Sequence, residues 1–394
     1  MIEMKFHLNS KQFESIHFVG AIFTLVGTII GAGILGIPYV FANAGFLTGM
    51  ATIVVLAIFF IYLYLNLGEA ILRTKGEHQL PGLAEKYLGE KGKLVLFFAM
   101  LMSTYGSLVA YILASGGAIF NLASGFFELQ GIFANPLTYS TIFFLFLSFL
   151  IVKGLNVIED SEILITGFLI LSVLLIFVLS VSEVSTANLT TFNHSKLFLP
   201  YGAVFFAFMG FTAVPEAVRI MKRKQKCIPL VLTLAVLIPM AIYVIFSLSI
   251  VGVMGANTQE LGTIGLEEII GPGMLIIGNL FLLFSVATSF LAIGFAQETV
   301  FSLDYKSKKF TGWFISCGVP FLIFLAIRNK TGFVNILSIS GAVFGGLMAI
   351  LVALIAYKSK IKSEKKPIYH VPMNLPLLII IIIFLFLGML SLFI

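Results

Sequence analysis

An all-helical integral membrane bundle is the fold class this sequence predicts, and three observations carry that prediction. The chain of 394 residues is 59% hydrophobic, with a mean hydropathy of +1.09. Only 11% of its residues are charged, against roughly 25% in soluble domains. Its apolar residues are gathered into long continuous runs, and a helix needs about 20 such residues to cross about 30 Å of hydrocarbon. Together these exclude a water-soluble globule. A β-barrel would show short alternating segments instead of continuous Leu/Ile/Phe/Val runs.

Taken in order, eleven runs bounded by Lys/Arg, Pro/Gly or polar clusters are expected to span. They cover residues 16–42, 46–71, 94–125, 138–154, 161–182, 200–221, 228–254, 273–302, 310–327, 333–357 and 374–394. The polar segment 1–15 leads into span 1 without a cleavable signal pattern. Residues 73–93, with Gly76-Glu77-His78 and Pro81-Gly82, read as a short amphipathic stretch between spans 2 and 3. The turn Asn156–Glu162 is acidic, and could pair with the lysines that follow span 10. That segment, 357–372, carries five lysines and is expected at anionic headgroups. The last run, 20 apolar residues, reads as a packing or oligomer helix.

Charge sorts the loops. With the N-terminus cytoplasmic, 21 of the 24 Lys and Arg residues fall in loops on one side, and only Lys196, Arg328 and Lys330 on the other. That is the positive-inside pattern of a multi-pass protein of the cell (plasma or inner) membrane, with its C-terminus outside. The net charge of +6 is therefore a topology signal; a nucleic-acid partner is not expected, and membrane lipid is. Cys227 and Cys317 sit at the ends of different spans and are not expected to pair. The five histidines are scattered, so no metal-dependent hydrolase motif forms and the chain is not read as an enzyme.

Two runs carry helix breakers. Gly27-Thr28-Ile29-Ile30-Gly31-Ala32-Gly33-Ile34-Leu35-Gly36-Ile37-Pro38 places four glycines and a proline in twelve residues of span 1. Each Gly costs a helix about 1 kcal/mol and Pro about 3 relative to Ala, so span 1 is expected to open near Gly31–Gly33. In span 6, Gly210 and Pro215 repeat the spacing of Gly33 and Pro38 at an offset of 177 residues. The same offset carries spans 3, 4 and 5 close to spans 8, 9 and 10. Residues 16–182 and 200–357 thus read as two five-span repeats, with 374–394 outside them. An odd number of spans per repeat inverts the second copy. Broken helices at matched positions of inverted halves point to a secondary transporter's binding site, where unwound backbone offers N–H and C=O groups.

The segments GTIIGAGILGIP in span 1, FMGFTAVPE in span 6 and FSVATSFLAIGF (Phe284–Phe295) in span 8 resemble bacterial hydroxy and aromatic amino acid permeases. These belong to the amino acid/auxin permease branch of the LeuT-like (APC) superfamily. The resemblance implies a 5+5 inverted-repeat bundle plus one helix, and ion-coupled uptake of amino acids by alternating access. No organic cofactor is implied; the coupling ion is H⁺ or Na⁺.

A zwitterionic substrate needs donors for its carboxylate and acceptors for its ammonium. The N–H groups of Gly31, Ala32 and Gly33, at the start of a half-helix, suit the carboxylate. Carbonyls near Thr28 and Ile29, and those of Phe205–Phe208, suit the ammonium. Side-chain selectivity is expected from Phe205, Phe208, Met209 and Thr212 beside Gly210, with Tyr105, Ser107 and Tyr111 of span 3 opposite. The resemblance also implies a cation cage: Ser285, Thr288 and Ser289 facing the carbonyls of Gly27 and Ile30, an oxygen set that suits Na⁺. Three acids lie within spans, Glu69, Glu216 and Glu298. They are candidates for a gate or proton relay. Local pairing is the alternative, with Arg73, Arg219 and loop lysines respectively. An amino-acid sensor on the same scaffold is the second functional reading. It is expected to carry a signalling extension, which the short N-terminal segment does not supply.

Overall fold

The structure is a computed structural model that describes residues 10–153, 162–301 and 308–393. Within those residues it is helical throughout, without a strand. Nine helices are long and apolar enough to cross a membrane, and a bent pair in span 1 makes a tenth. The last apolar helix, Leu375–Leu390, has 16 residues. The expected count of eleven therefore divides into ten of spanning length and one shorter. Asn374 opens that last helix by accepting the Leu377 N–H at 3.1 Å, so the polar cap, not the apolar run, sets its start.

The largest departure from the expected boundaries is span 3. Its helix starts at Leu80 rather than at residue 94 and runs to Phe126. Gly89, at φ 78°, turns the chain within it, so the amphipathic stretch and the span form one interrupted element. A positive φ costs glycine nothing, which is why the turn falls there. The 47-residue element packs most extensively against span 8, Gly273–Thr299, and span 4, Pro136–Lys153.

Large apolar side chains remain exposed in a belt around the bundle, Ile58, Phe146, Leu171, Ile380 and Leu387 among them. In lipid such residues carry no hydrophobic cost, and the bundle coheres by close packing and interhelical hydrogen bonds. Inside, Phe144 of span 4 stacks on Phe321 of span 9, with centroids 4.1 Å apart and planes 7° from parallel. The expected turn Asn156–Glu162 lies almost wholly outside the described residues.

The segment after span 10 is more ordered than headgroup contact alone would require. Residues 363–372 strap across the end of span 2, Phe46–Arg73. Backbone N–H groups of Glu364 and Lys365 both donate to the Arg73 carbonyl at 3.1 Å. Tyr369 donates to Leu65 O at 2.9 Å, and Tyr62 to Pro372 O. Lys360 turns inward to Glu69 at 3.1 Å instead of reaching lipid. A carboxylate removed from water draws in whichever cation can reach it.

Candidate functional site

Both breaks form, and they share one grammar. In span 1 the helix Ser10–Ile29 stops, a 3₁₀ turn covers Ala32–Gly36, and a helix restarts at Ile37 with Pro38 in its second position. The two halves meet at 46°. In span 6 the helix Leu199–Ala207 stops, a 3₁₀ turn covers Phe211–Ala213, and a helix restarts at Val214 with Pro215 second. Ile37 and Val214 are separated by the same 177 positions as Pro38 and Pro215. Proline at the start of a helix loses no hydrogen bond, so each half restarts at the residue the sequence marks.

The breaks lie against each other. A Cβ on Gly33 would stand 2.9 Å from Ala207 Cα, and one on Gly210 would stand 2.8 Å from the Ile29 side chain. Glycine at these places is a packing requirement. Span 8 closes one side: the Ala32 N–H donates to Ser289 Oγ at 3.2 Å. Tyr111 of span 3 interacts with both Ser289 and Ser107. The N–H groups of Gly31 and Gly33 have no acceptor among the described residues. Two free amides, a serine and a tyrosyl hydroxyl thus converge where a carboxylate is expected.

Two tyrosines absent from the sequence reading hold the carbonyl side. Tyr64 of span 2 donates to Phe208 O at 2.7 Å, and its hydroxyl also meets the Gly210 backbone amide. Tyr243 of span 7, Ile228–Met254, has its hydroxyl 2.7 Å from Ile29 O and 2.8 Å from Ala207 O. Both side chains are fully buried. A hydroxyl mid-span in an apolar helix needs a partner, and that was the available signal.

Other expected residues fall around this centre. Thr28 is exposed and bonds back to Thr24 O at 2.8 Å, and Thr212 is exposed beyond the second break. The rings of Phe205 and Phe208 are fully buried and pack on Phe60, at 4.9 and 5.7 Å between centroids. The Met209 sulfur approaches Gly345 of span 10. Tyr105 donates to Ile315 O of span 9 at 2.7 Å, so it is tied there rather than to either break. Gly27 is half-buried and Ile30 buried beside the first break. Of the expected cation cage, Ser289 reaches the break. Thr288 bonds back to Phe284 O and Ser285 O, at 2.8 and 3.2 Å, and Ser285 is fully buried with its hydroxyl unpartnered.

The three acids differ. Glu216 pairs with Arg219 at 2.6 Å. Glu298 is buried near Cys317; of the loop lysines expected beside it, Lys306 lies outside the described residues. Glu69 is fully buried and accepts from Arg73 at 2.7 Å, Lys360 at 3.1 Å, His370 at 3.0 Å and the Val371 N–H at 2.8 Å.

The face opposite the basic loops is roofed by residues 255–272. There Gly262 N–H donates to Leu35 O at 3.1 Å, Thr263 to Gly278 O at 3.1 Å, and the Val334 N–H to Glu260 at 3.3 Å. One segment thereby ties spans 1, 8 and 10 above the breaks.

The model of the tryptophan/tyrosine permease family matches residues 14–392. The chain belongs to that family. The permease is 24% identical to the tyrosine-specific transport system 1 of Haemophilus influenzae over 387 residues, covering 93% of this chain and 94% of the relative. It is 27% identical to glutamine transporter 2 of Aliivibrio fischeri over 243 residues, 60% of this chain and 61% of that one. In fold it is similar to MhsT, solved in complex with L-phenylalanine. The TM-score is 0.69 at 15% identity, covering 95% of the permease and 97% of MhsT. The permease is thus an amino acid transporter of LeuT-like fold, a multi-pass membrane protein and not an enzyme.

Proposed function

We propose that this permease is a secondary active symporter of neutral amino acids with aromatic or hydroxylated side chains, working by alternating access. The observation that carries the reading is the apposition of two breaks at matched positions. Unengaged N–H groups of Gly31 and Gly33, with Ser289 and Tyr111, stand on one side; the carbonyls of Ile29 and Ala207 stand on the other. That polarity fits a zwitterion's carboxylate and ammonium. The tyrosine-specific relative, matched over nearly the whole chain, favours an aromatic side chain.

In this reading residues 16–182 and 200–357 are the two inverted repeats, and the basic loops and N-terminus face the cytoplasm, with the C-terminus outside. The roof formed by residues 255–272 then closes the outer face. The coupling ion is H⁺ or Na⁺, and the unpartnered Ser285 hydroxyl beside Thr288 and Ser289 supports a cation near the first break. Counterflow of radiolabelled L-tyrosine in proteoliposomes, with Na⁺ and a pH gradient imposed separately, tests both substrate and ion. Uptake driven by one gradient is expected. No uptake of any labelled amino acid would sink the transporter reading.

A further inference from the structure

The Tyr243 hydroxyl carries one proton and stands within hydrogen-bond distance of two carbonyl oxygens, 2.7 Å from Ile29 O and 2.8 Å from Ala207 O. A phenol donates once, and carbonyls only accept. The single proton is given to one carbonyl or shared between the two, so the pair is always one full hydrogen bond short. All three groups are in the interior: Tyr243 and Ile29 are at 0% and 2% exposure, and Ala207 at 1%. Leaving a buried acceptor without its full complement of donors is unfavourable. Tyr64 presents the contrast, since its hydroxyl donates to Phe208 O and meets the Gly210 amide, one donor and one acceptor. Tyr64 bridges within span 6 and is balanced. Tyr243 bridges between spans 1 and 6 and is one proton short.

We propose that Tyr243 is a positioning residue, a one-proton clasp between the two breaks that keeps one carbonyl acceptor open for a substrate ammonium. The reading rests on the amino acid transport proposed above. Because the single proton moves between Ile29 O and Ala207 O by a small rotation of the hydroxyl, either carbonyl is released without breaking the other bond. An ammonium brings the missing donor and completes the set. On its departure the clasp returns to its deficient state, in which the two spans are held by one bond and not two. The aromatic ring is held in register by Phe208, with centroids 5.6 Å apart, so only the proton needs to move.

The test varies the number of donor protons at position 243 while keeping the ring: Tyr243→Phe offers none, the native residue one, and Tyr243→4-aminophenylalanine, placed by codon reassignment, two. Binding and uptake of L-tyrosine and melting temperature without ligand are measured on each purified protein. Melting temperature is expected to rise with donor count. L-tyrosine affinity is expected to fall with it, by roughly tenfold from the native residue to the two-donor variant. Turnover is expected to be highest for the native residue, because the zero-donor form holds substrate too well and the two-donor form holds the breaks together. Equal affinities in all three, or weaker binding in Tyr243→Phe than in the native protein, would overturn the clasp. Should the phenylalanine variant fail to fold, the comparison of the native and two-donor proteins decides alone. The melting order needs no substrate. If wild type binds no amino acid, the transport reading fails, and equal melting temperatures would still overturn the clasp on their own.

Discussion

Gly33 lies directly on the backbone of Ala207: a Cβ at position 33 would come 2.9 Å from Ala207 Cα and 3.2 Å from its Cβ. The contact joins the two broken spans backbone to backbone, and backbone cannot move aside as a side chain can. At Gly210 the obstacles are the ends of the Ile29 and Tyr64 side chains, at 2.8 and 2.9 Å. Gly33→Ala is therefore expected to abolish L-tyrosine uptake and to destabilise the protein by about 1–3 kcal/mol of overpacking, read as a lower melting temperature. Gly210→Ala is expected to cost less, because Ile29 can change rotamer. Uptake and melting measured on the two single variants check the order; an equal or larger effect at Gly210 would contradict it. Gly33→Val is expected to lose stability as well, because its Cβ meets the same backbone.

Ser289 and Ser285 lie one turn apart on span 8 and make opposite predictions. Ser289 accepts the Ala32 N–H and meets Tyr111, so Ser289→Ala strands a donor at the break. The expected cost is about 1–3 kcal/mol, with a raised KM for L-tyrosine. The Ser285 hydroxyl is buried and unpartnered, so Ser285→Ala is expected to leave the melting temperature unchanged or slightly higher. If Ser285 serves the coupling ion, its variant transports without dependence on that ion's gradient. Gradient-driven uptake identical to wild type would remove Ser285 from the cage.

Glu69 is a single buried carboxylate facing Arg73 and Lys360, whose side chains are 13% and 12% exposed. Glu69→Gln leaves both cations without their counter-charge. Breaking a buried pair in this way costs about 3–5 kcal/mol. Adding Lys360→Met to that variant removes one stranded charge and is expected to return part of the loss, a coupling that a double-mutant cycle in detergent would measure. Additive losses would show that Lys360 contributes nothing through Glu69.

What was legible in the sequence was what local chemistry dictates. Gly31, Gly33 and Gly210 weaken a helix, and Pro38 and Pro215 fit its first turn; it was their clustering at matched positions that let both breaks and their 177-residue offset be read directly, since single residues such as Pro239 stay inside a continuous helix. Charge near span ends acts over a few residues, and the Glu216–Arg219 and Glu69–Arg73 pairs followed from helical spacing. The carbonyl side of the site was not legible. Tyr243 meets Ile29 across 214 positions and Tyr64 meets Phe208 across 144, so their mid-span place signals a buried hydroxyl in need of a partner and nothing local says which partner it finds. Lys360 was misplaced for the same reason, since its partner Glu69 is 291 positions away. The abundance of Phe, 41 residues, similarly hid that Phe205 and Phe208 turn their rings to Phe60.

The strap over span 2 is anchored at its start by Glu364, which pairs with Lys86 at 2.7 Å and accepts the Lys75 N–H at 2.7 Å. The Lys86 ammonium and the Lys75 amide hold the Glu364 carboxyl below the usual carboxylate range. A carboxyl whose value is lowered on folding stabilises the docked strap at all pH above its ordinary value. That contribution fades as pH falls through the ordinary value to the lowered one, where the folded form also takes up a proton. Amide hydrogen exchange across 363–372 is therefore expected to be slow and flat near neutrality and to show increased opening, after correction for intrinsic exchange, on acidification below the ordinary carboxylate range. Glu364→Gln is expected to remove that acid-dependent step and to open the strap moderately at every pH. Both residues are partly exposed, so salt weakens the pair, and raised ionic strength is expected to mimic part of the variant's effect. An acid-dependent opening that persists undiminished in Glu364→Gln would assign it to Glu69 and its buried cations instead.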